Sequence, residues 1–405
     1  MKKVFQIALG VIAAIGGFVD IGELVFNVQA GAQFGYLLLW CVVVGVIGIG
    51  VYAEMCGRVA AIAGRPVFDV VRTRMGFGTA LVTLIASQVV NLMTLAAEVG
   101  GVALILQLLL NVDYALLVVL AFMVFLLMMW FVPFGGLERI FGYGGLGLLV
   151  FVVAALHLHP NWDDVAYGFV PHWRNSALYA YFIVGVIGAA LVPYEVYFFS
   201  SGAIEEKWTK KDLGLNRANA ILGFGLGGLL SVALIMTSAQ VFRGLNVEPK
   251  FLGTAAMTAE HTLGQTGLLI ALAGMFFAVG GAAVEVCLSG GYSLAQFLGW
   301  EWGKYRRPRE APRFYFAWIV FLGLAFVVVA TGIDPVDLTE YAVVFSVLAL
   351  PLTYLPILLV ARDRTFMGDH ANGKIGGFLG WLYLVIIVVI AVAAIPLLLA
   401  TNGGG

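Results

Sequence analysis

The chain has 405 residues, 62% of them hydrophobic and only 11% charged, where a soluble domain carries about 25% charged residues. With a mean hydropathy of +1.00, that composition excludes a soluble globular fold and predicts an all-α polytopic membrane protein. The net charge of −1 marks no special partner besides the lipid bilayer, and in particular no nucleic acid.

Apolar runs near the ~20 residues needed to cross a bilayer recur along the whole chain. They predict eleven spans, at 5–26, 36–57, 78–110, 114–133, 140–157, 177–200, 218–242, 266–298, 315–331, 338–361 and 376–400. The first run follows Lys2 and Lys3, as a signal peptide would. It continues to Asp20 and Glu23 without a small-residue cleavage site, so it is read as a retained span. Orientation follows the lysine and arginine bias of the connecting segments. With a cytoplasmic N-terminus, 19 of the 22 basic residues fall inside, and only Arg174, Arg243 and Lys250 fall outside. Eleven spans then put the C-terminus outside.

The basic stretch GKYRRPREAPR at 303–313 reads as a topology determinant beside anionic lipid rather than as a nucleic-acid patch. Cys41, Cys56 and Cys287 lie within or at the edge of spans with no CxxC or Cys/His spacing, and read as packing residues. None of the five histidines has HExxH spacing, and there is no GxSxG or phosphate-binding loop, so catalysis is not expected. His157 and His159 are placed at the outer interface.

The informative residues are carboxyls at membrane depth: Asp20 and Glu23 in span 1, Glu98 in span 3, Glu195 in span 6 and Glu285 in span 8. A charged side chain in a membrane helix costs about 2.5–3.5 kcal/mol, and no Lys or Arg lies deep in any span. Each acid must therefore be protonated, hydrated or paired with a cation that comes and goes. Taken singly, Glu98 or Glu285 is as readily a protonated packing residue. Asp20 and Glu23 differ, because Asp20-Ile21-Gly22-Glu23 follows Gly16-Gly17 and precedes the polar string Asn27, Gln29, Gln33. Span 6 has its own irregularity in GVIGAALVPYE at 185–195. Proline removes a donor and clashes with the preceding turn, which predicts a break near 191–193.

Two interrupted helices at corresponding positions of two halves point to a transporter binding site, with freed carbonyls available to a cation. The halves are 1–175, with spans 1 to 5, and 176–362, with spans 6 to 10, leaving 363–405 for an additional helix. An odd number of spans per half makes the repeat inverted.

At this point NVQAGAQFGYLLLW at 27–40 resembles the signature that follows the first broken helix of the Nramp metal transporters. LPLTYLPILLVARDRTFMG at 350–368 resembles that family's helix 10 and following loop, GAALVPYEVYFFSS at 188–201 its helix 6, and GGAAVEVCLSGGYSLAQFL at 280–298 its helix 8. The likeness implies the inverted five-plus-five (LeuT/APC-type) fold with broken helices 1 and 6 and an eleventh helix. It also implies a metal site. In the family, helix 1 binds a transition metal through an Asp and an Asn, and helix 6 through an Ala carbonyl and a Met sulfur. Here the Asp is Asp20, the Pro before Gly22 is Ile21, the Asn is Glu23, the Ala is Ala189 and the Met is Val192. The family's His after the helix 6 proline is Tyr194. An Asp preceding the retained helix 3 Glu, Glu98, is Leu95, and a helix 10 Gln that helps hold the metal is Ala349.

These departures are those of the Nramp-related magnesium transporters, a prokaryotic branch. The resemblance implies uptake of Mg²⁺, and also of Mn²⁺, across a prokaryotic plasma membrane; a monomer with no permanently bound cofactor is expected, although sequence does not fix the oligomeric state. Thioethers suit softer metals, whereas carboxylate, carbonyl and water suit Mg²⁺ and Mn²⁺. Loss of the His removes the side chain whose unperturbed pKa lies near physiological pH, which puts proton coupling in doubt, and the resemblance implies uptake without it. Two other readings stay open. One is a proton-coupled Mn²⁺/Fe²⁺ symporter with substituted ligands. The other is an amino-acid transporter of the same fold, against which two acids at the break would repel a substrate carboxylate. Glu195 and Glu285 are left as residues of the ion path.

Overall fold

The computed structural model describes residues 18–243 and 252–403, and among these there is no strand. Ten helical stretches in it are long and apolar enough to cross a membrane. The first, Ile21–Ala63, contains α1 (Ile21–Phe34) and α2 (Leu39–Ala63), separated by a 3₁₀ turn over Gly35–Leu38. Gly35 takes φ 63° and ψ −132°, a conformation open to glycine alone at low cost, and so ends α1. The expected second span, 36–57, begins in the 3₁₀ turn and runs into α2, while the part of the first span before residue 18 lies outside the described residues.

The chain continues through α3 (Val67–Met75), α4 (Phe77–Leu110), α5 (Tyr114–Phe131), α6 (Phe134–Gly145), α7 (Leu149–His157) and α8 (Trp162–Gly168). A broken pair follows, α9 (Ala177–Ala190) and α10 (Pro193–Glu205). Then come α11 (Leu213–Phe242), α12 (Leu252–Leu298), α13 (Pro312–Ala330), α14 (Pro335–Arg362), α15 (Arg364–Met367) and α16 (Lys374–Thr401).

Four segments expected as plain connections carry helix instead: α3, α8, α15 and the part of α12 before its kink at Gly264 (φ 65°, ψ −160°). Short helices with charged first turns, such as α8 with Asp163 and Asp164 behind an Asn161 N-cap, leave no mark in a hydropathy scan. The fifth span also starts earlier than expected, at Phe134, because Glu138 and Arg139 interrupt the apolar run without breaking the helix.

Glycine permits the closest helix contacts. Small residues let backbones approach where lipid gives no hydrophobic drive for association. A Cβ on Gly45 of α2 would lie 2.5 Å from the Cβ of Ala190, and one on Gly31 of α1 would lie 2.4 Å from the Ile235 carbonyl oxygen of α11. The three cysteines are free and buried.

The connection from α12 to α13 folds back onto the bundle. Glu205, the last residue of α10, accepts from the backbone N–H of Lys304 and of Tyr305 (3.4 Å), and from the Tyr292 hydroxyl (2.9 Å). Lys304 is buried and its ammonium donates to the Met129 carbonyl at the end of α5. One charge of the expected lipid-facing basic stretch therefore points inward. Burial pushes the Lys304 ammonium down to about 8, and the neighbouring Glu205 only partly offsets this. Its unfolded value is about 10.4. The folded state thus holds fewer protons between those two values, and stability rises with pH across that window. Amide exchange over 299–311, corrected for intrinsic rates, should be slower at pH 9.5 than at pH 7.5. Lys304→Met should abolish the difference, and a difference that persists in that variant would rule out Lys304 as its source.

Candidate cation site

The helix beginning at Ile21 is preceded by a break at Val19 and Asp20, where Asp20 is extended (φ −84°, ψ −178°). A helix N-terminus leaves its first N–H groups without partners in the helix, and here carboxylates take two of them. Asp20 Oδ1 accepts from the Glu23 N–H (2.8 Å), and Glu98 Oε1, reaching across from α4, accepts from the Ile21 N–H (3.1 Å). Glu98 therefore has a structural duty: it holds the start of α1.

The second break falls where the proline predicts it. α9 ends at Ala190, Val192 is extended (φ −66°, ψ 131°) and Pro193 opens α10. In a continuous helix the N–H of residue 193 would bond the carbonyl of residue 189. Proline has no N–H, so the break frees the Ala189 carbonyl. The Leu191 carbonyl is instead taken by the Tyr354 hydroxyl (3.2 Å).

The two breaks meet. The Tyr194 hydroxyl, at the second position of α10, donates to Asp20 Oδ2 (3.2 Å). A Cβ built on Gly22 would sit 3.1 Å from Asp20 Oδ1, 3.0 Å from Val343 Cγ2 and 3.8 Å from the Ala189 Cβ. Only glycine leaves this space open. Asp20, Gly22 and Val192 line one small cavity with Thr94 of α4 and with Thr339 and Ser346 of α14. The structure thus gathers Asp20, Gly22, Ala189, Val192 and Tyr194, with Glu98 joined through the Ile21 N–H.

Other expected site residues lie elsewhere. Glu23 does not line this cavity; its Oε2 accepts from the Asn27 amide and from the Ser231 hydroxyl of α11. Ala349 is buried on α14 and its carbonyl accepts from Thr353 (3.1 Å). Glu195 and Glu285 line a separate cavity. Tyr197, Ser200 and Ser201 serve packing, bonding the Thr353 carbonyl, the Val67 N–H and the Tyr197 carbonyl respectively.

Thr94, Thr339 and Ser346 escaped the reading of the sequence. Their signal is helical spacing: 339, 342, 343 and 346 form one stripe of α14, and 94, 97 and 98 one stripe of α4. The Ser346 hydroxyl is buried without a hydrogen-bond partner among the described residues. The donor set facing the break is carboxylate, hydroxyl and carbonyl oxygen. No group of three or more His, Cys, Asp or Glu able to hold a metal exists among the described residues.

Comparison with known proteins places this geometry. A family profile described as natural resistance-associated macrophage protein-like (Nramp) matches residues 10–396. The chain is 26% identical over 389 residues to the divalent metal cation transporter MntH of Deinococcus radiodurans, covering 93% of this chain and 86% of that one. It is 25% identical over 400 residues to MntH of Mycobacterium leprae, covering 95% and 90%. Its fold superposes on the crystal structure of the Eremococcus coleocola manganese transporter with a TM-score of 0.82 at 20% identity, over 98% of this chain and 87% of that one. The nucleobase-cation-symport-1 transporter Mhp1 superposes at 0.61 with 16% identity, over 98% and 91%. The expected all-α fold with two broken helices is therefore correct, and the chain belongs to the Nramp family.

Proposed function

We propose that this protein carries divalent metal cations across a membrane by alternating access, with Mg²⁺ as the main cargo and Mn²⁺ also accepted, and without coupled protons. Asp20 and the Ala189 carbonyl bind the ion directly or through one water, Glu23 adds the second carboxylate, and waters complete an octahedral shell. The observation that carries this is the meeting of the two helix breaks at Asp20, with Val192 where a sulfur ligand would stand. Mg²⁺ usually keeps several waters and takes one or two carboxylates, which suits a site of few protein ligands. Glu23 is bonded to Asn27 and Ser231, so it acts from the rim, through water or after a turn of its side chain. An inside-negative potential of 100 mV draws a divalent ion inward by about 4.6 kcal/mol, so uniport needs no second ion.

Purified protein in vesicles tests this directly: Mg²⁺ should enter under an inside-negative potential with no change in lumenal pH. Entry that requires or carries protons would sink the uncoupled reading. Val192→Met should raise uptake of Cd²⁺ relative to Mg²⁺ by about tenfold, since a thioether favours soft ions. An unchanged Cd²⁺/Mg²⁺ ratio would refute the selectivity role of Val192.

A proton-coupled manganese transporter is the second reading. It is favoured by the relatives' names, divalent metal cation transporter and manganese transporter, and by Glu98, whose Oε2 is buried without a partner among the described residues. The pH measurement in the same vesicles separates the two.

A further inference from the structure

Beyond the central site, a cavity of about 80 Å³ lies between α6, α10, α11 and α12. Phe18, two residues before Asp20, lines it, as does Trp208 in the lysine-bearing connection after α10. It therefore leads from the helix break toward the basic end of the bundle. Glu138, Glu195, Glu206 and Glu285 all line it, and among the described residues no Lys, Arg or His does. Glu138 and Glu285 share a second, smaller cavity alongside.

Glu206 belongs to the exposed mouth, where it accepts from the Trp208 indole N–H (2.7 Å). Glu195 is different. It is 4% exposed, and neither of its carboxyl oxygens has a hydrogen-bond partner among the described residues. A buried carboxylate without a partner is costly, and neighbouring acids that share its cavity raise that cost. A divalent cation relieves both at once.

We infer that Glu195, Glu285 and Glu138 form a second station for a hydrated divalent cation, one that receives the ion between the central site and the basic end of the bundle. It rests on the reading of the chain as a carrier of divalent cations. The station is outer-sphere: the ion's water ligands donate to the carboxylates and no direct metal bond forms. Mg²⁺ sheds water reluctantly, so a station that takes the ion with its shell releases it without a second dehydration.

The test counts Mn²⁺ bound to the full chain in nanodiscs by electron paramagnetic resonance. Wild type should bind two ions and Asp20→Asn one. Adding Glu195→Gln and Glu285→Gln to Asp20→Asn should leave none. If Asp20→Asn binds none, or if its remaining ion survives the two further substitutions, the station does not exist. Wild-type crystals soaked in Mn²⁺ give a check that needs no variant. An anomalous peak beside Glu195 and Glu285 supports the station, and its absence while the Asp20 peak is present overturns it. Failure of the wild type to move Mg²⁺ or Mn²⁺ into vesicles is a separate result, which removes the carrier reading itself.

Discussion

Asp20→Asn should abolish uptake of Mg²⁺ and Mn²⁺, with a loss of at least about 100-fold in initial rate. Substitution of groups one shell out from a metal already costs about 10–100-fold, and a carboxylate that faces the ion contributes more. Asn is chosen because it caps helices as well as Asp does. It can still accept from the Glu23 N–H, so α1 should start where it does now and the protein should fold. Asp20→Ala would remove the cap as well, at about 1 kcal/mol, and confuse two effects. The measurement is metal entry into vesicles normalised to folded protein. An Asn variant that keeps more than a tenth of the wild-type rate would remove Asp20 from the site.

Gly31→Ala should be the most damaging conservative change in the family-like stretch QAGAQFGY. The added Cβ would sit 2.4 Å from the Ile235 carbonyl oxygen, 2.8 Å from the Ser238 Cβ and 3.1 Å from the Ala239 nitrogen. Two of these are backbone atoms of α11, so relief requires the helices to part. Overpacking of this kind costs typically 1–3 kcal/mol and occasionally more. Parting also endangers the bond from Ser238 to the Val28 carbonyl (2.5 Å). The expected loss is about 3 kcal/mol, read as a lower midpoint in detergent-solubilised thermal unfolding. Gly225→Ala on α11 is the control, since nothing lies within 4 Å of a Cβ built there. It should be neutral or stabilise slightly, because Ala is the better helix former by about 1 kcal/mol. Equal midpoints for the two variants would show that the close approach at Gly31 does not matter.

What could be read in advance follows from which signals are local. Hydropathy finds spans because each crosses the same thickness of lipid, and Pro193 marks its break by removing one named hydrogen bond. Asp20-Ile21-Gly22-Glu23 likewise shows itself as polar residues with no helical period. Glu138 was missed for the same reason the spans were found: a charged pair lowers the local average even where the helix continues. Thr94, Thr339 and Ser346 are only mildly polar and tell nothing until α4 and α14 are seen to meet. The capping of α1 by Glu98 joins residues 77 positions apart, which no pattern along the chain encodes. The candidate ligands were named only through a likeness to known proteins; the turning of Glu23 toward Ser231 was not legible at all.

The carboxylate of Asp20 has two claimants, one on each oxygen. Oδ1 secures the first turn of α1 by accepting from Glu23, while Oδ2 receives the hydroxyl of Tyr194 from the opposite broken helix. An ion that draws on this carboxylate pulls at once on a helix start and on the joint between the two halves of the break. Under the proposed function, cargo recognition and the movable joint would be one residue, and loading would be felt at the point where the protein must bend.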